Sequence, residues 1–295
     1  MNRTTDSLLA YAQLLRLPNV FTVVADVLMA GLVCGALTHA PGRFALAAAA
    51  SCLLYLAGMA SNDVFDRAED AKARPARPIP SGRVSLRSAI TLTALLTVLG
   101  VICGVLADGD SWWLGGLVVA IFAYNASLKH TAVGPVAMGS CRLLHLLFVF
   151  SLAPEFPAAV GWHVAGVVGV YIAGVTMFAR TEEFASRPRD LAAAAAVMLL
   201  AVGAVLLLPL HEVPTPANRA LPYLVVAYGV ALFLPLRRAV LDPRPALVQA
   251  GVKRAILGLI ALDAVIATHA VGWPGLALLA LYAPARLLGR RVYST

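Results

Sequence analysis

Apolar residues run along this chain in long blocks separated by short polar connections. Ten apolar stretches can be read, at about 17–38, 43–62, 86–107, 112–128, 132–152, 160–181, 190–209, 219–236, 253–271 and 274–289. Most approach the roughly 20 residues that an α-helix needs to cross a bilayer. The last is the shortest, so nine or ten transmembrane helices are expected. No connection is long enough to fold alone. The pattern therefore predicts an all-α, polytopic membrane bundle with a single embedded domain over residues 1–295.

Composition points the same way. Hydrophobic residues make up 60% and charged residues 13%, against roughly a quarter charged in soluble domains. Disorder, a coiled coil and a disulfide scaffold are excluded. Cys34, Cys52, Cys103 and Cys141 each lie inside an apolar run, without metal-ligand or redox spacing. No small-residue cleavage site follows the N-terminal segment, so the first run is expected to stay as a span.

The net charge of +8 would suggest nucleic acid in a soluble protein. Here the cations sit in connections. With ten spans and a cytoplasmic N-terminus, twenty of the 23 Lys and Arg residues fall on the cytoplasmic side. Only Arg43 and Arg219 fall outside, and Arg142 lies within a span. That asymmetry is the positive-inside signal. The expectation is an integral protein of a bacterial inner membrane, with N-terminus and polar loops cytoplasmic, no nucleic-acid partner and no obligate protein partner. The two most polar connections, 62–87 and 180–190, both follow even-numbered spans. Their first acids, Asp63 and Glu182, are about 120 residues and four spans apart, which a duplicated four-helix unit would produce.

The chemistry concentrates at the end of the second run, in Asn62-Asp63-Val64-Phe65-Asp66-Arg67-Ala68-Glu69-Asp70. On a continuous helix Asn62, Asp66 and Asp70 share a face, with Asp63 one turn from Asp66. Aspartates so close repel unless a cation sits among them, and oxygen ligands at this density suit Mg²⁺. Mg²⁺ fills its shell with water and substrate phosphate, so the acids imply a phosphorylated partner. Lys72, Arg74, Arg77 and Arg83 follow in a loop stiffened by Pro75, Pro78 and Pro80. Arginine pairs with phosphate oxygens bidentately. Acid for metal and base for phosphate at a membrane mouth point to a lipid diphosphate.

The Asn62, Asp63, Asp66, Asp70 pattern resembles the first aspartate-rich motif of the UbiA superfamily of intramembrane prenyltransferases. Arg77-Pro78-Ile79-Pro80-Ser81-Gly82 is similar to that family's downstream segment. Arg16-Leu17-Pro18-Asn19 resembles its first-span entry, and Tyr124-Asn125-Ala126-Ser127-Leu128-Lys129 its Tyr-Ser-x-x-Leu-Lys segment. The resemblance spans roughly residues 10–190. It implies Mg²⁺-dependent transfer of a prenyl group from a polyprenyl diphosphate to a lipophilic, often aromatic, acceptor within the membrane lipid. By the same resemblance Asp63, Asp66 and Asp70 bind metal and Asn62 orients the bound group. Arg74, Arg77, Lys129 and Arg187 hold the diphosphate, while Asn19 and Tyr124 line the reacting end.

The family's second acidic motif is altered. Here it reads Glu182, Ser186 and Asp190 at helical spacing, beside Glu183, with Arg180, Arg187, Pro188 and Arg189 interspersed. Glu182, Glu183 and Asp190 are the candidate ligands of a second metal, and Arg187 is a candidate replacement for its charge. The departure keeps open a terpene-cyclase or other isoprenoid-diphosphate reaction, and a non-catalytic isoprenoid-binding or transport role. Four polar residues lie inside apolar runs: Asp26, Arg142, His145 and Asp263. Charges at membrane depth face a partner or a cavity. Arg142 is a candidate substrate contact, and Asp26 its candidate partner.

Overall fold

The structure, a computed structural model, describes residues 3–155, 158–180, 186–208 and 216–292. Among these residues every regular element is helical. In chain order they are α1 (Arg3–Leu14), α2 (Val20–Val33), α3 (Ala36–His39), α4 (Pro41–Phe65), α5 (Arg67–Ala73) and α6 (Leu86–Leu106). Then come α7 (Ser111–Ala126), α8 (Gly134–Phe150), α9 (Ala158–Ala179), α10 (Pro188–Ala204), α11 (Pro216–Leu241), α12 (Pro245–Val271) and α13 (Tyr282–Arg291). Prolines open α4, α10, α11 and α12. That position suits proline, because the amide it lacks would have no intrahelical partner there. Side chains cap two more starts: Ser85 accepts from the Ser88 amide and Asp110 from the Trp112 amide.

Among the described residues six helices are long and apolar enough to cross a membrane: α4, α6, α9, α10, α11 and α12. A bent pair formed by α1 and α2, at 50°, raises the number to seven. The bend lies at Arg16, held in the left-handed region at φ 45°, and is followed by a 3₁₀ turn, Leu17–Asn19. The apolar helices α7 and α8 have 16 and 17 residues. At 1.5 Å per residue they reach roughly 25 Å, short of a hydrocarbon core about 30 Å thick. The stretch read at 274–289 is divided between a 3₁₀ segment, Trp273–Leu281, and α13, which carries Arg286, Arg290 and Arg291.

Small residues set the closest packing. A Cβ on Gly139 of α8 would lie 2.4 Å from the Gly169 carbonyl oxygen of α9, so these backbones touch. α12 is the central helix, with 67% of its apolar window buried, against 28% for α6 and for α11. Exposed side chains such as Leu95, Val98 and Ile102 on α6, and Tyr223, Val226 and Val230 on α11, give those two helices an apolar outer face. Inside, the Tyr171 and Tyr228 hydroxyls are 2.8 Å apart, and Tyr171 donates to the Ala255 carbonyl at 2.7 Å. This joins α9, α11 and α12 through a satisfied buried polar node. At the end of α4 remote from the acidic motif, Arg43 donates to the Ala107 carbonyl at 2.9 Å and pairs with Asp108 at 3.1 Å.

Candidate active site

The acidic motif sits where α4 ends. The helix pauses at Asp66 (φ −82°, ψ −1°) and resumes as α5. Asn62 and Asp66 keep the expected shared face and meet Lys129 together, but the Asp70 carboxylate does not join them, so the acids divide into two groups. Asp63 and Asp70 converge on Arg77, whose Nη1 is 3.4 Å from Asp63 Oδ1 and 2.8 Å from Asp70 Oδ2. Arg16 Nη2 lies 3.5 Å from Asp63, and Arg74 Nη1 lies 3.5 Å from Asp70. Asp66 turns instead to Lys129, 2.5 Å away, and Lys129 also donates to Asn62 Oδ1 at 3.4 Å. Coulomb energy drives the division, since each carboxylate lowers its energy most by facing a cation.

The loop after α5 places Arg77. Ser81 donates to the Arg77 carbonyl at 2.7 Å, and Gly82 takes the positive φ (73°) of the turn. Arg83 braces the loop by donating to the Ala76 carbonyl and to Gln13 Oε1 of α1, each at 2.7 Å. Asp63 and Asp70 are buried, at 4% and 2% exposure. Burial pushes the Asp70 carboxyl above its usual range, and the Arg77 guanidinium pulls it part of the way back.

A second group, not singled out from the sequence as a site, adjoins the first. Asp66, Glu69 and His130 each offer a ligand atom, and these atoms lie within 4.8 Å of one another. Asp66 and Glu69 are one helical turn apart, but His130 lies far along the chain, and only the fold brings it there. Asn125, next to Tyr124, donates to the Gly58 carbonyl at 2.9 Å and to Ser61 Oγ at 2.7 Å. It thus pins α7 to α4 one turn before the motif.

Beneath the acids opens a mostly apolar cavity of about 200 Å³. Arg16, Asn19, Tyr124 and Arg142 all line it. Arg142 Nη1 is 2.7 Å from Asp26 Oδ2, an ion pair whose alignment falls short of a good hydrogen bond. In the altered second motif, α9 ends at Ala179, and Asp190 is exposed in the first turn of α10. Arg187 is the exposed residue preceding that helix, and Ser186 is buried. Glu182 and Glu183 lie outside the described residues.

The model of the UbiA prenyltransferase family matches residues 20–293. The chain belongs to that family. Curated relatives are named digeranylgeranylglyceryl phosphate synthase. That of Sulfurisphaera tokodaii is 32% identical over 124 residues, 42% of this chain and 45% of the relative. That of Methanosarcina barkeri is 40% identical over 118 residues, 35% and 38% of the two chains. That of Methanopyrus kandleri is 32% identical over 176 residues, 55% and 57% of the two chains. This chain thus spans about half the length of the curated relatives it matches. They are mostly archaeal and lend no support to the expected bacterial membrane. A solved structure from a study of digeranylgeranylglyceryl phosphate synthase in membranes shares the fold. It aligns at TM-score 0.64 and 17% identity, over 90% of this chain and 99% of the other. The UbiA assignment makes this chain an integral membrane protein of a prenyltransferase family.

Proposed function

We propose that this UbiA-family chain transfers a prenyl group from a polyprenyl diphosphate to a lipophilic acceptor in a Mg²⁺-dependent reaction. One observation carries the reading: Arg16 both lines the apolar cavity and contacts Asp63. The carboxylates therefore stand on the rim of a chamber that suits an isoprenoid. The donor set fits Mg²⁺, which takes one or two carboxylates and leaves its other positions to water and phosphate. Asp66 and Glu69 offer carboxylate oxygens within 4.8 Å of each other, and Asp63 and Asp70 meet at Arg77. These carboxylates would hold Mg²⁺, which would supply positive charge to the leaving diphosphate.

The chain's own residues do the rest. Arg77, Arg74 and Lys129 exchange their carboxylate partners for phosphate oxygens as the diphosphate arrives. Cleavage of the C–O bond leaves an allylic cation, and the electron pair goes to the diphosphate, where these three cations stabilise it. The apolar walls keep water from the allylic cation. Tyr124 offers it an aromatic face, and Asn19 lines the same chamber. The acceptor's electron pair then forms the new bond, and its proton leaves. The curated relatives are named for a glyceryl phosphate product, so both a phosphorylated lipid and an aromatic ring belong in the acceptor panel. On this reading the chain crosses the membrane nine or ten times, the six long helices, the bent pair, α7 and α8 supplying nine of the crossings, with the motif on the side rich in cations, taken as cytoplasmic.

The test is pyrophosphate release by purified protein in nanodiscs, with Mg²⁺ and a series of prenyl diphosphates, beside Asp66→Asn. Release that needs both Mg²⁺ and Asp66 is expected, and it should rise when an acceptor is added. Folded protein that releases none with any chain length, with membrane extract present, would overturn the proposal.

A further inference from the structure

The cavity continues inward, away from the carboxylates. Tyr55 of α4 lies two turns below Asn62, and the Arg142 guanidinium of α8 faces its ring at 5.8 Å. Arg142 is fixed on two sides, by Asp26 at 2.7 Å and by Thr22 Oγ1, which accepts from Nη2 at 2.9 Å. α4 runs toward the motif and α8 away from it. One further turn inward on each helix brings Ser51 and His145. Both line the cavity, and they are 3% and 4% exposed. His145 Nδ1 is 3.7 Å from Asp26 Oδ2. Ser51 Oγ and His145 Nε2 have no hydrogen-bond partner among the described residues. A buried polar atom left unpaired costs about 1–3 kcal/mol. Together with the carboxylate oxygens of Asp26 and Asp263, which likewise have no hydrogen-bond partner among the described residues, they make the inner part of an apolar chamber a place shaped for a group that hydrogen-bonds.

The charge of the layer selects that group. Asp263 of α12 is fully buried beside Asp26, so two carboxyl groups stand against one guanidinium, that of Arg142. The layer therefore has no positive charge to spare. A carboxylate or phosphate entering here would stay uncompensated at membrane depth. A hydroxyl group would not. It donates to His145 Nε2 in the tautomer that turns its Nδ1 proton toward the Asp26 carboxylate 3.7 Å away, and it accepts from the Ser51 hydroxyl.

We propose that the inner end of this cavity binds the hydroxyl group of an uncharged lipophilic alcohol or phenol, with His145 Nε2 as acceptor and Ser51 Oγ as donor. The inference rests on reading the cavity as a substrate chamber. Ser51 lies eleven residues from Asn62 along α4, roughly 16 Å at 1.5 Å per residue. The hydroxyl is therefore a recognition handle set apart from the reacting carbon, and Ser51 and His145 are specificity residues.

The test is equilibrium binding of thymol, thymol methyl ether and p-isopropylbenzoate to the full chain in nanodiscs, without Mg²⁺ or prenyl diphosphate. Thymol should bind about tenfold more tightly than its methyl ether, the worth of one buried hydrogen bond, and the benzoate most weakly. His145→Leu should cut the preference for thymol over the ether to roughly threefold or less, whereas Ser51→Ala, which removes a donor that either ligand oxygen can accept from, should weaken thymol about tenfold and leave the preference. Ser51→Ala changes little volume, so it and the ether comparison decide the matter even if His145→Leu does not fold. Equal binding of thymol and ether, tightest binding of the benzoate, a preference that survives His145→Leu, or thymol binding unchanged by Ser51→Ala overturns the inference. No turnover is needed: an inactive protein that prefers thymol sinks only the transferase reading, and an active one without the preference sinks only this one.

Discussion

Replacing Arg77 with alanine tests the acidic cluster as a metal site. Arg77 is the cation nearest Asp70, at 2.8 Å, and it also holds Asp63 at 3.4 Å. Removing one partner of a buried ion pair costs about 3–5 kcal/mol, because the other charge is stranded. Arg16 and Arg74 remain at 3.5 Å from the two carboxylates and recover part of that. A net loss of ~2 kcal/mol is expected at neutral pH in EDTA, lowering the melting temperature by roughly 5 °C. The loss depends on pH with a definite sign. Asp70 already holds its proton above the usual carboxylate range, and without Arg77 it holds it more tightly. A folded-state pKa above the unfolded value of 3.8 gives stability that is fully present below 3.8 and lost as pH rises through the folded value. The gap between Arg77→Ala and the unaltered protein should therefore close in acid and widen toward neutrality. Mg²⁺ should restore more stability to the variant than it adds to the unaltered protein, since it takes the place of the missing cation. Thermal unfolding with and without Mg²⁺ reads all three effects. A variant destabilised at pH 7 that gains nothing from Mg²⁺ would refute the metal assignment of Asp63 and Asp70.

Three other outcomes are expected. Lys129→Met removes a charge-assisted contact worth about 1.5–3 kcal/mol and should raise the KM for prenyl diphosphate by roughly 10- to 100-fold; an unchanged KM in initial-rate assays would count against Lys129 as a diphosphate ligand. Gly139→Ala drives a methyl group to 2.4 Å from the Gly169 carbonyl, whereas Gly166→Ala meets nothing within 4 Å. The first should destabilise by about 1–3 kcal/mol and the second by almost nothing, as melting curves would show. Asn125→Leu strips two buried hydrogen bonds between α7 and α4 and should lower stability by about 1–2 kcal/mol; an unaltered melting temperature would show that the pin carries no load.

Much of the first motif could be read in the sequence because its residues are close neighbours along the chain and their chemistry is local. Asn62, Asp63, Asp66 and Asp70 stand where an apolar run ends, and Arg77 follows seven residues later. What could not be read is how the acids divide. That depends on the pause at Asp66 and on Arg16 and Lys129, brought in from 47 and 63 residues away. His130 carries no signal in the sequence for the same reason, since only the fold brings it to Asp66 and Glu69. Ser51 gave no signal at all, since a serine inside an apolar run is distinguished only by what surrounds it in space. Length arguments also have a limit. Residues 274–289 carry enough apolar side chains for a span, but hydropathy does not show that the first half winds as a 3₁₀ helix. It is equally blind to α7 and α8 having 16 and 17 residues, too few to match a full bilayer when straight.

The bare contact between Gly139 and Gly169 has a mechanical consequence. Two helices that meet backbone to backbone have no side-chain cushion between them, so neither can slide or roll without collision. α8 and α9 therefore behave as one stiff plate. One end of that plate starts beside Lys129 and also returns the chain to the altered second motif, where Arg180 donates to the Thr131 carbonyl at 2.8 Å, and its middle bears Arg142 and His145. Any displacement imposed at that motif is carried whole to the chamber wall. That stretch of chamber wall can therefore shift only as a unit, by tilting against α2 and α4.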